Sequence, residues 1–290
     1  MSQHDSLQRF IFNDAPVRGE LVHLDASWQA VLERHPYPPP VRKLLGEMMV
    51  SALLLSATLK YDGKMIMQLH GAGPVRLLVV ECTSGKSFRG LAQWEGDVPA
   101  EGMLRDATGP GKIAITLEPA TGTQRYQSIV EIEGGSIAQA LEQYLVRSEQ
   151  IETRMWVASS EHAAAGLLVQ RLPGSAADDD TWNRVGHLAS TVTDVELLGL
   201  PFEELLYRLF HDEAIAVFES EPVSFRCSCS RERVADMLRS LGQAEVLDIL
   251  AQEGAIKVSC EFCNRAYVFD PVDAQALFVE TAPELPSTRH

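Results

Sequence analysis

Four cysteines in two tight pairs constrain this chain more than any other feature of its sequence. Cys227 and Cys229 are separated by one residue, Cys260 and Cys263 by two, and thirty residues lie between the pairs. Two such pairs suit a tetrahedral Zn²⁺ site, because each short loop supplies two thiolates and the metal joins distant segments. The sequence therefore predicts one zinc ion per chain, held in the reduced state by these four residues.

The residues around the two pairs form a small unit that is expected to depend on its metal. Residues 231–254 have a helical pattern, and residues 255–270 predict a hairpin whose turn is the second cysteine pair. A unit of this size buries little surface, whereas structural zinc contributes about 10–16 kcal/mol to the folding of small peptides. The apolar residues available for its core are Val234, Met237, Leu238, Leu241, Val246, Leu247, Ile249 and Leu250.

The same four thiols allow a redox role as well as a structural one. Zinc holds cysteines as thiolates, which is the form that reacts with oxidants. Adjacent thiolates can close into local disulfides, Cys227–Cys229 and Cys260–Cys263, and such strained disulfides are the labile kind. Oxidation would expel the zinc ion together with its share of the folding free energy. From the chemistry alone, two interpretations stay open: a purely structural zinc site and a redox switch.

Residues 1–173 are predicted to form an N-terminal domain of mixed sheet and helix, so the expected fold class is α+β. Residues 41–60 are apolar around most of a helical circumference and predict a buried helix with Pro40 in its first turn. Strand-like runs follow, interrupted by a helix that Ser136 can cap. Cys82 lies in one of these runs and is expected to be a buried core thiol.

The small, polar and acidic stretch 172–182 marks the end of that domain. Residues 174–221 are predicted to be a helical linker, and residues 222–290 a small C-terminal zinc-binding domain. Two interpretations of the linker stay open: its apolar stripe packs permanently on its own domain, or it covers an apolar surface and can be dislodged. The stripe comprises Leu198, Phe202, Leu205, Leu206 and Leu209.

Charge and composition disfavour several classes of function. The net charge is −15 and the cysteine-rich end has more acidic than basic side chains, which argues against a zinc-ribbon regulator that binds nucleic acid. A thiol oxidoreductase usually places CxxC at a helix N-terminus, whereas here CxxC falls in a predicted hairpin. These two classes remain the alternatives. No signal peptide is recognised, and residues 44–59 are too short and interrupted to span a bilayer, so we expect a cytoplasmic protein.

Several longer motifs accompany the cysteine pairs and make the chain recognisable. They are YPPPVRKLLGEMMVSALLL, MQLHGAGPVRLLVVEC, LEQYLVRSEQIETRMWVA and AGLLVQRLP, followed by CxC and CxxC with their thirty-residue gap. Together they extend over nearly the whole sequence. In these motifs the chain resembles the bacterial family of redox-regulated heat-shock chaperones called heat-shock protein thirty-three, or thirty-three-kilodalton chaperonins.

The resemblance implies a holdase that needs no ATP, has no catalytic residues and is not an enzyme. In its inactive reduced form, zinc is bound at Cys227, Cys229, Cys260 and Cys263. Oxidation with unfolding stress is implied to form the Cys227–Cys229 and Cys260–Cys263 disulfides and to release zinc. The C-terminal redox-switch domain and the linker then unfold, and the exposed apolar surface binds unfolding client proteins. The resemblance also implies that the oxidised form is a homodimer.

Overall fold

The computed structural model describes residues 5–122, 124–172 and 179–278. The chain forms two compact units, Met1–Arg226 and Cys227–His290. Most of the predicted boundary stretch 172–182, namely residues 173–178, lies outside the described residues, and the three-part division stays a prediction. The predicted α+β class is confirmed, since sheets and helices both contribute extensively to the first unit.

Strands and helices alternate irregularly along the chain. The strands are β1 (Ser6–Phe12), β2 (Val17–Leu24), β3 (Gly63–Gly71), β4 (Val75–Thr83), β5 (Ser87–Trp94), β6 (Gly111–Pro119), β7 (Tyr126–Glu131), β8 (Thr153–Ser159), β9 (Ala164–Arg171), β10 (Ile215–Val217), β11 (Glu221–Pro222), β12 (Ser224–Phe225), β13 (Ile256–Ser259) and β14 (Ala266–Phe269). The helices are α1 (Ala26–Leu32), α2 (Pro39–Thr58), α3 (Leu104–Thr108), α4 (Ile137–Ser148), α5 (Asp179–Ala189), α6 (Asp194–Gly199), α7 (Phe202–Phe210), α8 (Arg231–Leu241), α9 (Gln243–Glu253) and α10 (Pro271–Ala276).

Two six-stranded sheets form the first unit. One has the order β10-β1-β2-β9-β8, with β11 also paired to β1, and all of its pairs are antiparallel. The other has the order β12-β5-β4-β3-β6-β7, in which only the β12–β5 pair is parallel. Helix α2 contacts strands of both sheets, which explains why its sequence is apolar on nearly every side.

The predicted buried helix is therefore confirmed, and it begins at Pro39, one residue before the expected Pro40. Proline lacks an amide hydrogen, but an amide hydrogen at this position would have no partner within the helix in any case. The first turn therefore tolerates proline. The predicted Ser136 cap is also present, because its side chain accepts a hydrogen bond from the Gln139 amide at the start of α4. Within the described ranges, no helix has both the length and the apolarity to cross a membrane.

The first sheet is covered on both faces. Along β9, Ala164 and Leu168 face the core that contains α2, whereas Leu167 and Val169 face a second apolar cluster. Successive side chains of a strand point to opposite faces, so a strand buried on both sides reads as a continuous apolar run. The second cluster joins this face of the sheet to helices α5, α6 and α7.

The linker differs from the single helical stripe that its sequence predicts. Helix α6 ends at Gly199 and α7 begins at Phe202, because Pro201 lacks the amide hydrogen that a continuous helix would need. The stripe is nevertheless brought to one surface: Leu198 is partly buried in the second cluster, and its other four residues are fully buried there. After α7 the chain becomes extended and forms β10.

The C-terminal unit consists of α8, α9, the β13–β14 hairpin and α10. The helical region breaks at Gly242, whose φ of 92° is accessible mainly to glycine. Each of the two short helices buries only a narrow apolar stripe against the hairpin. Three predicted core residues therefore remain exposed instead of buried: Met237 by 43%, Leu241 by 51% and Leu247 by 40%. The observed core comprises Ala235, Leu238, Val246, Leu250, Ile256, Tyr267, Phe269 and Ala274.

The buried carboxyl of Glu47 in α2 makes the stability of the first unit depend on pH. Burial raises its pKa from 4.5 to about 7, although Lys43 opposes this shift and Asp194 adds to it. Between these values the folded protein retains a proton that the unfolded chain has lost, so stability falls as pH rises from about 4.5 to about 7. We expect Glu47→Gln to remove up to about 3 kcal/mol of this decline, measured by urea unfolding at pH 5 and pH 8. A decline identical to that of the wild type would show that Glu47 ionises normally in the folded state.

Candidate metal centre

The two cysteine pairs lie in different local structures of the C-terminal unit. Cys227 and Cys229 precede α8, whose first turn is capped by Ser230 accepting a hydrogen bond from the Arg233 amide. Cys260 and Cys263 form the turn between β13 and β14, as the sequence predicts. A short extended segment and a hairpin turn thus present their thiols to each other.

The hairpin turn is closed by backbone hydrogen bonds around Asn264. The Asn264 amide donates to the Cys260 carbonyl at 2.7 Å, and the Cys260 amide donates to the Arg265 carbonyl at 2.9 Å. Asn264 has a φ of 57°, a left-handed conformation that asparagine tolerates better than most residues. This conformation reverses the chain directly after Cys263.

The structure brings the four sulfur atoms together in one cluster. Cys227 Sγ lies 3.6 Å from Cys260 Sγ, and Cys229 Sγ lies 3.3 Å from Cys263 Sγ. All four lie within 4.8 Å of one another. A tetrahedral zinc site with Zn–S bonds of about 2.3 Å separates its sulfur atoms by about 3.8 Å, so the cluster has the size and the donor set to hold a metal ion.

Several donors around the cluster favour thiolates. The backbone amides of Phe262 and Cys263 donate to Cys260, and the Arg265 amide donates to Cys263. The Tyr267 hydroxyl donates to Cys229 Sγ at 3.1 Å. Hydrogen bonds to a sulfur ligand hold its orientation and stabilise its negative charge, as outer partners of metal ligands generally do.

The protein's own groups favour the thiolate at Cys229 and the protonated thiol at Cys260 and Cys263. Burial alone would raise the pKa of Cys229, but the Tyr267 hydroxyl and the neighbouring thiols lower it to about 7. Burial, together with hydrogen bonding to neighbouring sulfur atoms, raises the pKa of Cys263 to about 12, and burial also raises that of Cys260. A bound cation is therefore needed to keep four thiolates in such close contact.

Two arginines in the first turn of α8 contact the segments around the cysteines: Arg231 reaches the hairpin and α10, and Arg233 reaches the segment of the first pair. Arg231 donates to the Val268 carbonyl and to Asp273 Oδ2, both at 2.7 Å, and its guanidinium lies 4.1 Å from the centre of the Phe269 ring. Arg233 donates to Ser228 Oγ, between the first two cysteines, at 2.7 Å. These contacts give the cysteine-bearing segments a defined relative position.

Sequence reasoning did not identify Tyr267 or the two arginines. The alternation of β14, in which Tyr267 and Phe269 are buried, could have placed the tyrosine on the side of the hairpin that faces the core. Cys82 is, as expected, a buried core thiol: it lies in β4 of the first unit, where burial raises its pKa strongly and keeps the thiol protonated.

Comparison with known proteins agrees with the fold. A crystal structure of the 33 kDa chaperonin from Thermotoga maritima matches 94% of this chain and 98% of its own with a TM-score of 0.84. At 23% identity this likeness supports the fold. Among curated relatives, the 33 kDa chaperonin of Nitrosococcus oceani is 49% identical over 292 residues, and each chain is covered completely.

A second relative extends this result. The 33 kDa chaperonin of Chromobacterium violaceum is 48% identical over 282 residues, which cover 96% of this chain and 95% of that one. The family model described as Hsp33 protein matches residues 5–270, which include nearly all of the first unit and the part of the second unit that contains the four cysteines. These proteins are chaperones and not enzymes, and a chaperone family implies unfolded client proteins as partners. The chain belongs to the Hsp33 family, the 33 kDa chaperonins.

Proposed function

We propose that this protein is a redox-regulated, ATP-independent holdase of the cytoplasm. In the reduced state, Cys227, Cys229, Cys260 and Cys263 hold one Zn²⁺ and the protein does not bind clients. The observation that carries the proposal is the cluster of four sulfur atoms within 4.8 Å of one another. Bound there, zinc supplies a positive charge that keeps all four cysteines as thiolates and joins the two halves of the C-terminal unit.

Oxidation by peroxide converts the four thiolates into the disulfides Cys227–Cys229 and Cys260–Cys263. Each disulfide forms when two thiolates transfer two electrons to one peroxide molecule, which takes up two protons and leaves as two water molecules. Two peroxide molecules therefore oxidise all four sulfur atoms. Neutral disulfides no longer neutralise the cation, so the metal ion is released and the C-terminal unit loses the folding free energy that it contributed.

The surface proposed to bind clients is the face of the first sheet that α5, α6 and α7 cover. Its residues include Phe10, Leu21 and Leu167, which are fully buried beneath those helices. If the linker unfolds together with the C-terminal unit, this apolar face becomes accessible to unfolding proteins. An apolar surface of this kind also tends to associate with a second copy, which supports the expected homodimer of the oxidised form.

Client protection measured against oxidation state tests the proposal. We expect the reduced full-length protein to contain one equivalent of zinc and to leave the thermal aggregation of a client protein unchanged. Peroxide with mild heating is expected to release the zinc and then to suppress most of the light scattering. Zinc release is followed with a chelating dye in the same sample.

The matched control is oxidised protein that has been reduced again with dithiothreitol in the presence of zinc, which should lose its protective effect. Peptide mapping of the oxidised sample should recover the two local disulfides. Equal client protection by the reduced, zinc-loaded form would refute the redox switch, and disulfides that join the two pairs would refute the proposed pairing alone.

A further inference from the structure

A short extended segment adds strands to both sheets of the first unit. We call residues 214–226 the connecting strap. Within it, β10 and β11 pair with β1, and β12 pairs with β5. Among the described residues outside the strap, β1 pairs only with β2 and β5 only with β4, so the strap covers one edge of each sheet. Uncovered strand edges present unpaired amides and carbonyls that readily accept another strand.

The connecting strap is held mainly by its backbone. The Phe218 amide donates to the Arg9 carbonyl at 2.9 Å, the Val223 amide to the Asp5 carbonyl at 2.9 Å, and the Ser224 amide to the Lys86 carbonyl at 3.2 Å. Such hydrogen bonds depend on an extended backbone and not on one particular sequence. Another extended peptide can therefore make the same bonds to the same edges.

The side chains of the strap contribute much less. Val223 is 3% exposed and packs in the core that contains α2, whereas Val217 and Phe218 are 45% and 51% exposed. Phe225 is half-buried, with the Arg34 guanidinium 4.6 Å from its ring centre. Full burial of one valine stabilises by about 1.5–3 kcal/mol. Val223 is thus the one fully buried side chain of the strap and its principal apolar anchor.

Charge defines one further property of these edges. The Glu221 carboxylate lies 3.2 Å from Arg9 Nη1 and 3.2 Å from Lys86 Nζ. If the strap left the sheets, Arg9 and Lys86 would lose the ion pairs with Glu221. An incoming peptide with an acidic residue at the corresponding position would restore this pairing.

We propose that the edges of β1 and β5 form a second client-binding site, which takes extended client segments as added strands once the strap has left. The segments it fits are apolar with an acidic residue two positions before a β-branched one, as in Glu221-Pro222-Val223. This inference rests on the proposed chaperone function. The strap ends immediately before Cys227, so unfolding of the C-terminal unit leaves the strap continuous with an unfolded segment.

Release of the strap without oxidation tests the site directly. The variant Val223→Asp in the reduced, zinc-loaded full chain places a charge in an apolar core and should detach the strap. The probe is a fluorescent synthetic peptide with the sequence of residues 213–226. We expect Val223→Asp to bind it about tenfold more tightly than the wild type, or better, with unchanged zinc content.

The matched control is Val217→Asp, the same substitution at an exposed position of the strap, which should bind the probe no better than the wild type. Equal binding of the probe by both variants would overturn the proposal. If Val223→Asp fails to fold, as judged by its thermal transition, the oxidised wild-type chain replaces it, and absence of probe binding there overturns the proposal equally.

Backbone methylation of the probe distinguishes strand addition from apolar adsorption. The Phe218 amide donates to β1, whereas the alternation of the antiparallel ladder turns the Val217 amide away from it. N-methylation at the residue corresponding to Phe218 should weaken binding about fivefold or more, and at Val217 it should have little effect. Equal effects at both positions would rule out strand addition.

The two proposals fail in different ways. Oxidised protein that protects clients but does not bind the probe would refute the edge site and leave the chaperone function intact. Oxidised protein that protects no client would refute the proposed function, whereas probe binding by reduced Val223→Asp would still establish that the edges accept a strand.

Discussion

Replacing Cys227 and Cys229 together with serine is expected to abolish tight zinc binding and to unfold the C-terminal unit. Serine offers no thiolate, so two of the four sulfur donors disappear. Structural zinc contributes about 10–16 kcal/mol in small peptides, which is as large as the whole stability of a typical domain. The core that remains consists of eight buried residues, too few to compensate for that loss.

Zinc content and far-ultraviolet circular dichroism measure this result. The variant should contain almost no zinc, and the helical signal of α8 and α9 should disappear while that of the first unit persists. Ser228→Ala, between the two cysteines, is the matched control, since it loses only the hydrogen bond from Arg233. A double variant that retained one full equivalent of zinc would show that the four-thiolate assignment is wrong.

Charged substitutions in α7 are expected to produce a chaperone that is active without oxidation. Leu205 and Leu209 are 1% and 2% exposed against the first sheet. Replacement of both by glutamate removes about 1.5–3 kcal/mol of apolar burial at each site and adds the cost of placing charges in an apolar cluster. The helix should therefore leave the sheet while the zinc centre remains intact.

The measurement is suppression of client aggregation by the reduced, zinc-loaded variant, which should approach that of the oxidised wild type. Tyr207→Glu is the matched control, because this residue lies on the same helix and is 73% exposed. Unchanged basal protection in the double glutamate variant would mean that α7 is a permanent part of the fold and not a removable cover.

The spacing of residues was sufficient to predict several local structures. A proline before an apolar run indicated the start of α2, Ser136 indicated the start of α4, and CxxC between strand-like runs indicated the β13–β14 turn. Each of these depends on residues close together in sequence, so the local chemistry decides the outcome. The stripe of α7 was recognisable for the same reason, although Pro201 divided it from α6.

Side-chain partners from distant segments could not be predicted in this way. The exposure of Met237 and Leu241 depends on how α8 packs after the break at Gly242, and periodicity alone does not determine packing. The Tyr267 hydroxyl reaches Cys229 only because the hairpin folds against the segment before α8. Residues 214–221 of the strap were assigned to the helical linker and residues 222–226 to the zinc-binding domain, although the backbone of the strap pairs with strands more than a hundred residues away.

The sequence by itself was enough to predict the metal chemistry proposed for this protein: four thiols at this spacing indicate the expected ligand set, and the family motifs indicate the chaperone class. Only the tertiary structure decided which surfaces the linker and the strap cover. Ligand chemistry depends on residue type and on short spacings, and both can be read directly from the sequence. Burial and strand pairing depend instead on contacts between residues far apart in sequence, and these exist only once the sheets have formed.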